Sequence, residues 1–162
     1  SMLLRKCRFL LALPLLVLAA CGFQPVYGVN GSGSVLRNSV QVEAPDDVYS
    51  YTLVREIETR LGRAPVPRFA LELTVAIAQE GLAIDSTNNT TRYNLIGKVD
   101  FILRNLASDQ VASSGAVENF TGYSATGTTV ATLAAEHDAQ SRLMTMLADQ
   151  IVTQLYAANL SR

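Results

Sequence analysis

The chain is poor in the residues that do chemistry. Its 162 residues include one histidine, His137, and two cysteines, Cys7 and Cys21. Cys7 lies in a leading segment read below as a removed signal, and Cys21 is read as blocked at sulfur. No thiol is then left for a disulfide, a nucleophile or a thiolate metal site, and the fold must rest on packing. His137 stands in a helical stretch beside Glu136 and Asp138. Consecutive helical positions point about 100° apart, so these three donors do not converge on one ion. A lone helical histidine is more simply a packing or surface residue. The serines include no Gly-x-Ser-x-Gly turn, and there is no Gly-x-x-x-x-Gly-Lys phosphate loop. Nothing in the pattern argues for an enzyme, a cofactor or a metal.

An excess of positive charge is also missing. Arg5, Lys6 and Arg8 fall within the signal, so the remainder carries 10 basic residues against 14 acidic ones, a net charge near −4. A general nucleic-acid binder would show a basic patch or stripe instead.

What the N-terminus does have is a secretory pattern. Arg5, Lys6 and Arg8 precede an apolar run from Phe9 to Ala20 that ends Leu18-Ala19-Ala20-Cys21. A basic segment, a short apolar core and small residues before a cleavage point make a signal peptide. A cysteine directly after Leu-Ala-Ala resembles the bacterial lipobox, in which the thiol is acylated and the chain is cut just before it. The competing reading is a short signal-anchor. The run, broken by Pro14, falls well short of the roughly 20 residues that span a bilayer. The expected organisation is therefore a removed signal over 1–20, a lipid-bearing Cys21 with a Gly/Ser-rich linker over 21–34, and one domain over 35–162. Such a domain is long enough to bury a sizeable core.

Past the linker, Val40 and Val42 alternate with polar residues, which predicts a short strand over 38–44 ended by Pro45. Asp46 and Asp47 suit a helix start. Tyr51, Val54, Ile57 and Leu61 then recur at spacings of three and four, with Gly62 as the stop. Glu56 and Arg60 form an i,i+4 pair. Phe69, Leu71, Leu73, Val75 and Ile77 alternate with Ala70, Glu72, Thr74, Ala76 and Ala78, a clear strand. After a polar loop over 85–91 comes a third strand, with Tyr93, Leu95, Val99, Phe101 and Leu103 on one face. Val111 to Tyr123 predicts a fourth, diluted by Ser113, Ser114 and Gly115. From about Val130 to Asn159 there is neither Gly nor Pro, and Leu133, Met144, Leu147, Ile151, Leu155 and Ala158 trace a helical stripe.

The order β-α-β-β-β-α, with one apolar stripe per helix, predicts an α+β fold. Its form is a four-stranded mixed sheet with both helices packed on one face. The other face would hold small and polar residues, either simply wet or seated in a polar cavity. Arg92 and Lys98 lie on that side. They are the cations to test against an anionic ligand such as a phosphorylated glycolipid. The plainer alternative is that they are solvated strand residues flanked by carboxylates such as Asp100.

Cys21-Gly22-Phe23-Gln24-Pro25-Val26-Tyr27-Gly28 resembles the lipobox-proximal C-G-F-x-P-[LV]-Y-G of the LPS-assembly lipoprotein family LptE (RlpB), in its short alphaproteobacterial form. Ala131-Thr132-Leu133-Ala134-Ala135-Glu136-His137-Asp138-Ala139 is similar to that family's entry into its long last helix, and Leu147-Ala148-Asp149-Gln150-Ile151 to its continuation. The resemblance implies a lipid-anchored outer-membrane protein that plugs and helps assemble the β-barrel partner LptD. It also implies contact with lipopolysaccharide through basic residues, and Gly22 fits outer-membrane sorting. The alternative is a periplasmic substrate-binding or accessory lipoprotein of a lipid transporter, which would need a deep apolar pocket. One prediction comes from the lipobox itself. Cys21→Ser is expected to move the protein from the membrane to the soluble fraction on cell fractionation, with an unchanged melting temperature.

Overall fold

The computed structural model describes residues 31–158, apart from Asp85 and Thr87, together with Leu160. The expected signal, Cys21 and most of the expected linker lie outside the described residues. The elements are α1 (Ser32–Leu36), β1 (Val40–Val42), α2 (Val48–Leu61), β2 (Phe69–Ile84), β3 (Thr90–Asn105), β4 (Val111–Ser124) and α3 (Thr129–Ala157). The strands form one sheet in the order β1-β2-β3-β4. β1 runs parallel to β2, so α2 is the crossover between them, while β2–β3 and β3–β4 are antiparallel. This is the α+β fold expected, with one addition, the short helix α1. Val35 and Leu36 within it are buried, but two apolar residues among Gly and Ser give no period to read.

Each boundary has a local cause. Asp47 caps α2 by accepting a hydrogen bond from Ser50 N–H at 2.6 Å. This bond, with one from the Ser50 hydroxyl, holds the Asp47 carboxyl below its ordinary value of 3.8. Gly62 ends α2 at φ +79°, where a Cβ would be strained, and its N–H reaches Glu58 O at 2.8 Å. Thr128 caps α3 through Ala131 N–H. The i,i+4 pairs Glu56–Arg60, at 2.9 Å, and Asp138–Arg142 both form.

Both helices lie on one face of the sheet. They run in the same direction, because Tyr49 meets Gln140 at 3.1 Å and Arg60 meets Asp149 at 2.6 Å. The core between the layers is built from Leu53, Ile57 and Leu61 of α2, Leu143, Leu147, Ile151 and Leu155 of α3, and the odd-numbered residues Leu71, Leu95, Val99, Phe101, Leu103 and Val117 of the sheet. Each such side chain contributes about 1.5–3 kcal/mol through burial.

The buried stripe of α2 is Ser50, Leu53, Ile57 and Leu61. The expected Tyr51 is instead 60% exposed: two residues before Leu53, it lies about 160° around the helix from it, on the outer side. Leu133 is likewise exposed. The first turns of α3 overhang the sheet, and its fully buried positions begin at Ala139.

The apolar side chains of the two layers meet closely at Gly97. A Cβ built there would stand 2.8 Å from Leu147 Cδ1, 3.1 Å from Leu143 Cδ2 and 3.2 Å from Ile77 Cδ1. Gly97→Val is expected to overpack this contact and lower the urea midpoint by an equivalent of about 1–3 kcal/mol. Gly122→Ala is the control: its Cβ would meet nothing closer than 3.5 Å, and its midpoint should stay near wild type.

Candidate functional site

The face of the sheet opposite the helices is the largest surface that the fold leaves uncovered. Paired residues on adjacent strands share a face, so the register sets its content. Glu72, Ile102 and Ser114 form one row across β2, β3 and β4. The next rows are Thr74, Asp100 and Ala116, then Ala76, Lys98 and Glu118, then Ala78, Ile96 and Phe120. Charged groups are mostly matched within the face. Arg104 Nε lies 3.2 Å from Glu72 and 3.8 Å from Asp109, and Lys98 Nζ lies 3.7 Å from Asp100. These exposed pairs give the face polarity and contribute little stability.

Arg92 and Lys98 both sit on this face, as expected. They do not form one site: six residues of one strand separate them by about 20 Å. Lys98 has Asp100 beside it and Glu118 directly across on β4. Arg92 has no ion-pair partner among the described residues. It lines a recess of about 350 Å³ at the far end of the sheet with Leu82, Asn94 and Ser124. Leu82 is 57% exposed at the bulge where β2 loses register with β3. A guanidinium beside exposed aliphatic carbon suits an amphiphilic anion.

Reading the chain alone missed Phe120, which is 63% exposed on this face opposite Ile96. The signal was available, since counting back from inward-facing Tyr123 and Val117 puts position 120 outward. The aromatic end of the helix-covered face was also missed. There Tyr93 and Tyr123 stack with ring centroids 5.3 Å apart, and Gln79 donates to the Tyr123 hydroxyl at 2.8 Å. Burial raises the Tyr123 hydroxyl pKa above its usual value, and the nearby Glu136 carboxylate adds to that. These groups are fixed in a packed network and act as a polar seam between sheet and helix.

Nothing on this surface assembles a reaction centre. His137 is exposed on α3, lining a shallow recess of about 70 Å³ beside Val48 and Thr52. The Ser50 hydroxyl is taken up by Asp46 and Asp47 at the cap of α2. Among the described residues no three His, Cys, Asp or Glu side chains are placed to hold a metal ion. An open recess of about 450 Å³ between β4 and α3 is lined by Ala116 and Val117 together with Glu118, Asp149, Gln150, Thr153 and Gln154, so apolar and polar surface are mixed there.

A mixed four-stranded sheet with two helices on one face and a polar open face on the other is the architecture of a class of small bacterial lipoproteins. A lipoprotein from Caulobacter crescentus CB15 shares the fold with a TM-score of 0.65 at 22% identity, over 78% of this chain and 93% of that one. Rare lipoprotein B from Shewanella oneidensis matches at a TM-score of 0.56 and 16% identity, covering 74% and 92%. A minor lipoprotein from Acinetobacter baumannii matches at 0.55 and 15%, covering 76% and 94%. No curated protein matches the sequence closely enough to count as a relative. The family itself is settled by sequence: the model of the lipopolysaccharide-assembly family LptE matches residues 37–155, and the chain belongs to that family. Its role therefore lies in lipopolysaccharide assembly.

Proposed function

We propose that this protein is an outer-membrane lipoprotein, anchored through a lipid on Cys21, that seats inside the LptD β-barrel, helps it assemble and takes part in passing lipopolysaccharide to the outer leaflet. The observation that carries the reading is the open sheet face, on a chain of the lipopolysaccharide-assembly family. Barrel lumens are polar, and a plug needs a broad surface of small, polar and charge-matched side chains rather than an apolar patch. The rows from Thr74 to Ala116 and from Ala76 to Glu118 have that character. A lipid-transporter binding protein would instead need a deep apolar pocket. The recess of about 450 Å³ between β4 and α3 is open rather than deep, and Glu118, Asp149, Gln150 and Gln154 stand among its lining residues.

The test is co-purification. Tagged protein drawn from detergent-solubilised membranes is expected to bring the barrel with it, and depletion should lower surface lipopolysaccharide. Recovery of the protein alone, with normal surface lipopolysaccharide after depletion, would sink the plug reading.

Arg92 is the proposed contact for a lipid A phosphate, with Leu82 beside it for acyl carbon, and Lys98 is the secondary cation. Arg92→Glu is expected to weaken lipopolysaccharide binding about tenfold, the loss of one charge-assisted hydrogen bond. Lys98→Glu should cost less, because Asp100 and Glu118 already offset that charge. Surface plasmon resonance on both variants, with circular dichroism as the folding control, measures this. Unchanged affinity in both returns these residues to ordinary solvated strand positions.

A further inference from the structure

The two edges of the sheet are treated differently. On β4 the even-numbered residues turn their backbone groups outward, and α3 covers part of that row. Gln154 donates to Ala116 O at 3.4 Å and Arg142 to Gly122 O at 3.3 Å. On the other side β1 covers β2 only from Phe69 to Leu71. The last bond is from Glu43 N–H to Leu71 O at 2.9 Å, and Pro45 turns the chain away. Beyond it the outward N–H and C=O groups of Leu73, Val75, Ile77 and Gln79 have no hydrogen-bond partner among the described residues. An unpaired row of this kind is a template for another strand. Natural edges are commonly blunted with lysine, proline or a bulge. Here none of these occurs between Leu73 and Gly81, where the bulge begins.

The side chains along this edge define what fits. Leu73, Val75 and Ile77 point to the helix side and are only partly buried. A recess of about 150 Å³, lined by Pro45, Val54 and Leu73, opens where β1 stops. On the opposite side of the same strand stand Glu72 and Glu80. Glu72 is matched by Arg104, but Glu80 has no ion-pair partner among the described residues. A second copy of the chain is a poor occupant. Antiparallel self-pairing that uses the whole free stretch sets Leu73 opposite Gln79, and therefore Glu72 opposite Glu80 twice across the seam, like charges in contact.

We propose that the free edge of β2 from Leu73 to Gln79 takes an extended segment of a different polypeptide by strand addition. That segment carries apolar side chains toward α2 and lysine or arginine toward Glu72 and Glu80. The main-chain bonds supply affinity, and the apolar and acidic rows supply specificity. The inference stands apart from the barrel reading, since it concerns the chemistry of the edge and not the identity of the protein that supplies the strand.

The test uses the purified full chain and a fluorescent peptide of about ten residues alternating valine and lysine, matched to the free edge at about 3.3 Å per residue. Anisotropy should show saturable binding, and none by the valine–glutamate counterpart. Val75→Pro removes an outward N–H and no bond to β3, so it should weaken binding at least about tenfold. Phe120→Pro, the equivalent change on β4, should leave binding unchanged, and Glu80→Lys should weaken it. Amide exchange gives a readout on the unmodified protein. Val75, Ile77 and Gln79 N–H should exchange fast when free and slow on peptide addition, which decides the matter even where a proline variant does not fold. Absence of binding, equal protection of the β4 edge, or a stable dimer of the free chain built on β2 would each overturn the proposal.

Discussion

The contact between α3 and the middle of the sheet is the constraint from which the rest follows. Leu143 and Leu147 reach the strands because position 97 has no side chain, and Phe101 fills the space beside Gly115 in the same way. With α3 pressed this close, and α2 beside it in the same direction, one face of the sheet is taken up by the helices except along the outer part of β2. The described residues put no further layer on the other face, and side chains there must tolerate water or a polar partner. Its composition agrees with that requirement: alanine, threonine and charge-matched pairs, with Ile96, Ile102 and Phe120 as the apolar exceptions. The proposed binding surface is the remainder left by the core.

Much of this was legible in the sequence because periodicity reports burial directly. The alternation from Phe69 to Ala78 and from Arg92 to Arg104 gave the strands and their faces, and the Gly- and Pro-free stretch after Thr129 gave the last helix. The errors have two physical origins. A stripe of apolar residues does not say how far the partner layer extends beneath it, and Leu133 continues its stripe past the edge of the core. Tyr51 is apolar but falls on the outer side of α2, while Ser50, polar but held by Asp46 and Asp47, is buried in its place. Helix α1 escaped notice because two apolar residues have no period.

The candidate site was less legible than the fold. That Arg92 and Lys98 share a face follows from even spacing. The Asp100 carboxylate beside Lys98 is two residues along the same strand and was legible. That Arg92, without an ion-pair partner among the described residues, lies beside Leu82 depends on the bulge that ends β2, which no local pattern encodes. The unequal edges were likewise out of reach, because the short span of β1 is set by where Pro45 and the cap of α2 pull the chain away. What the lipobox and the family resemblance offered was the compartment and the partner class; the geometry divides the surface into a polar face, a cationic tip and an open edge.

One consequence concerns reach. Ser39 O receives the N–H groups of Arg68 and Phe69, so the chain enters the domain at the end of the sheet where β2 begins. Arg92 lies at the other end, where β3 begins. Strands of this length set the two ends about 45 Å apart. The described chain therefore meets the sheet at its base, and Arg92 lies the full length of the sheet away from that entry point. Three long hydrogen-bonded strands are stiff along their axis, so the sheet acts as a fixed spacer between the chain's entry and the Arg92 end.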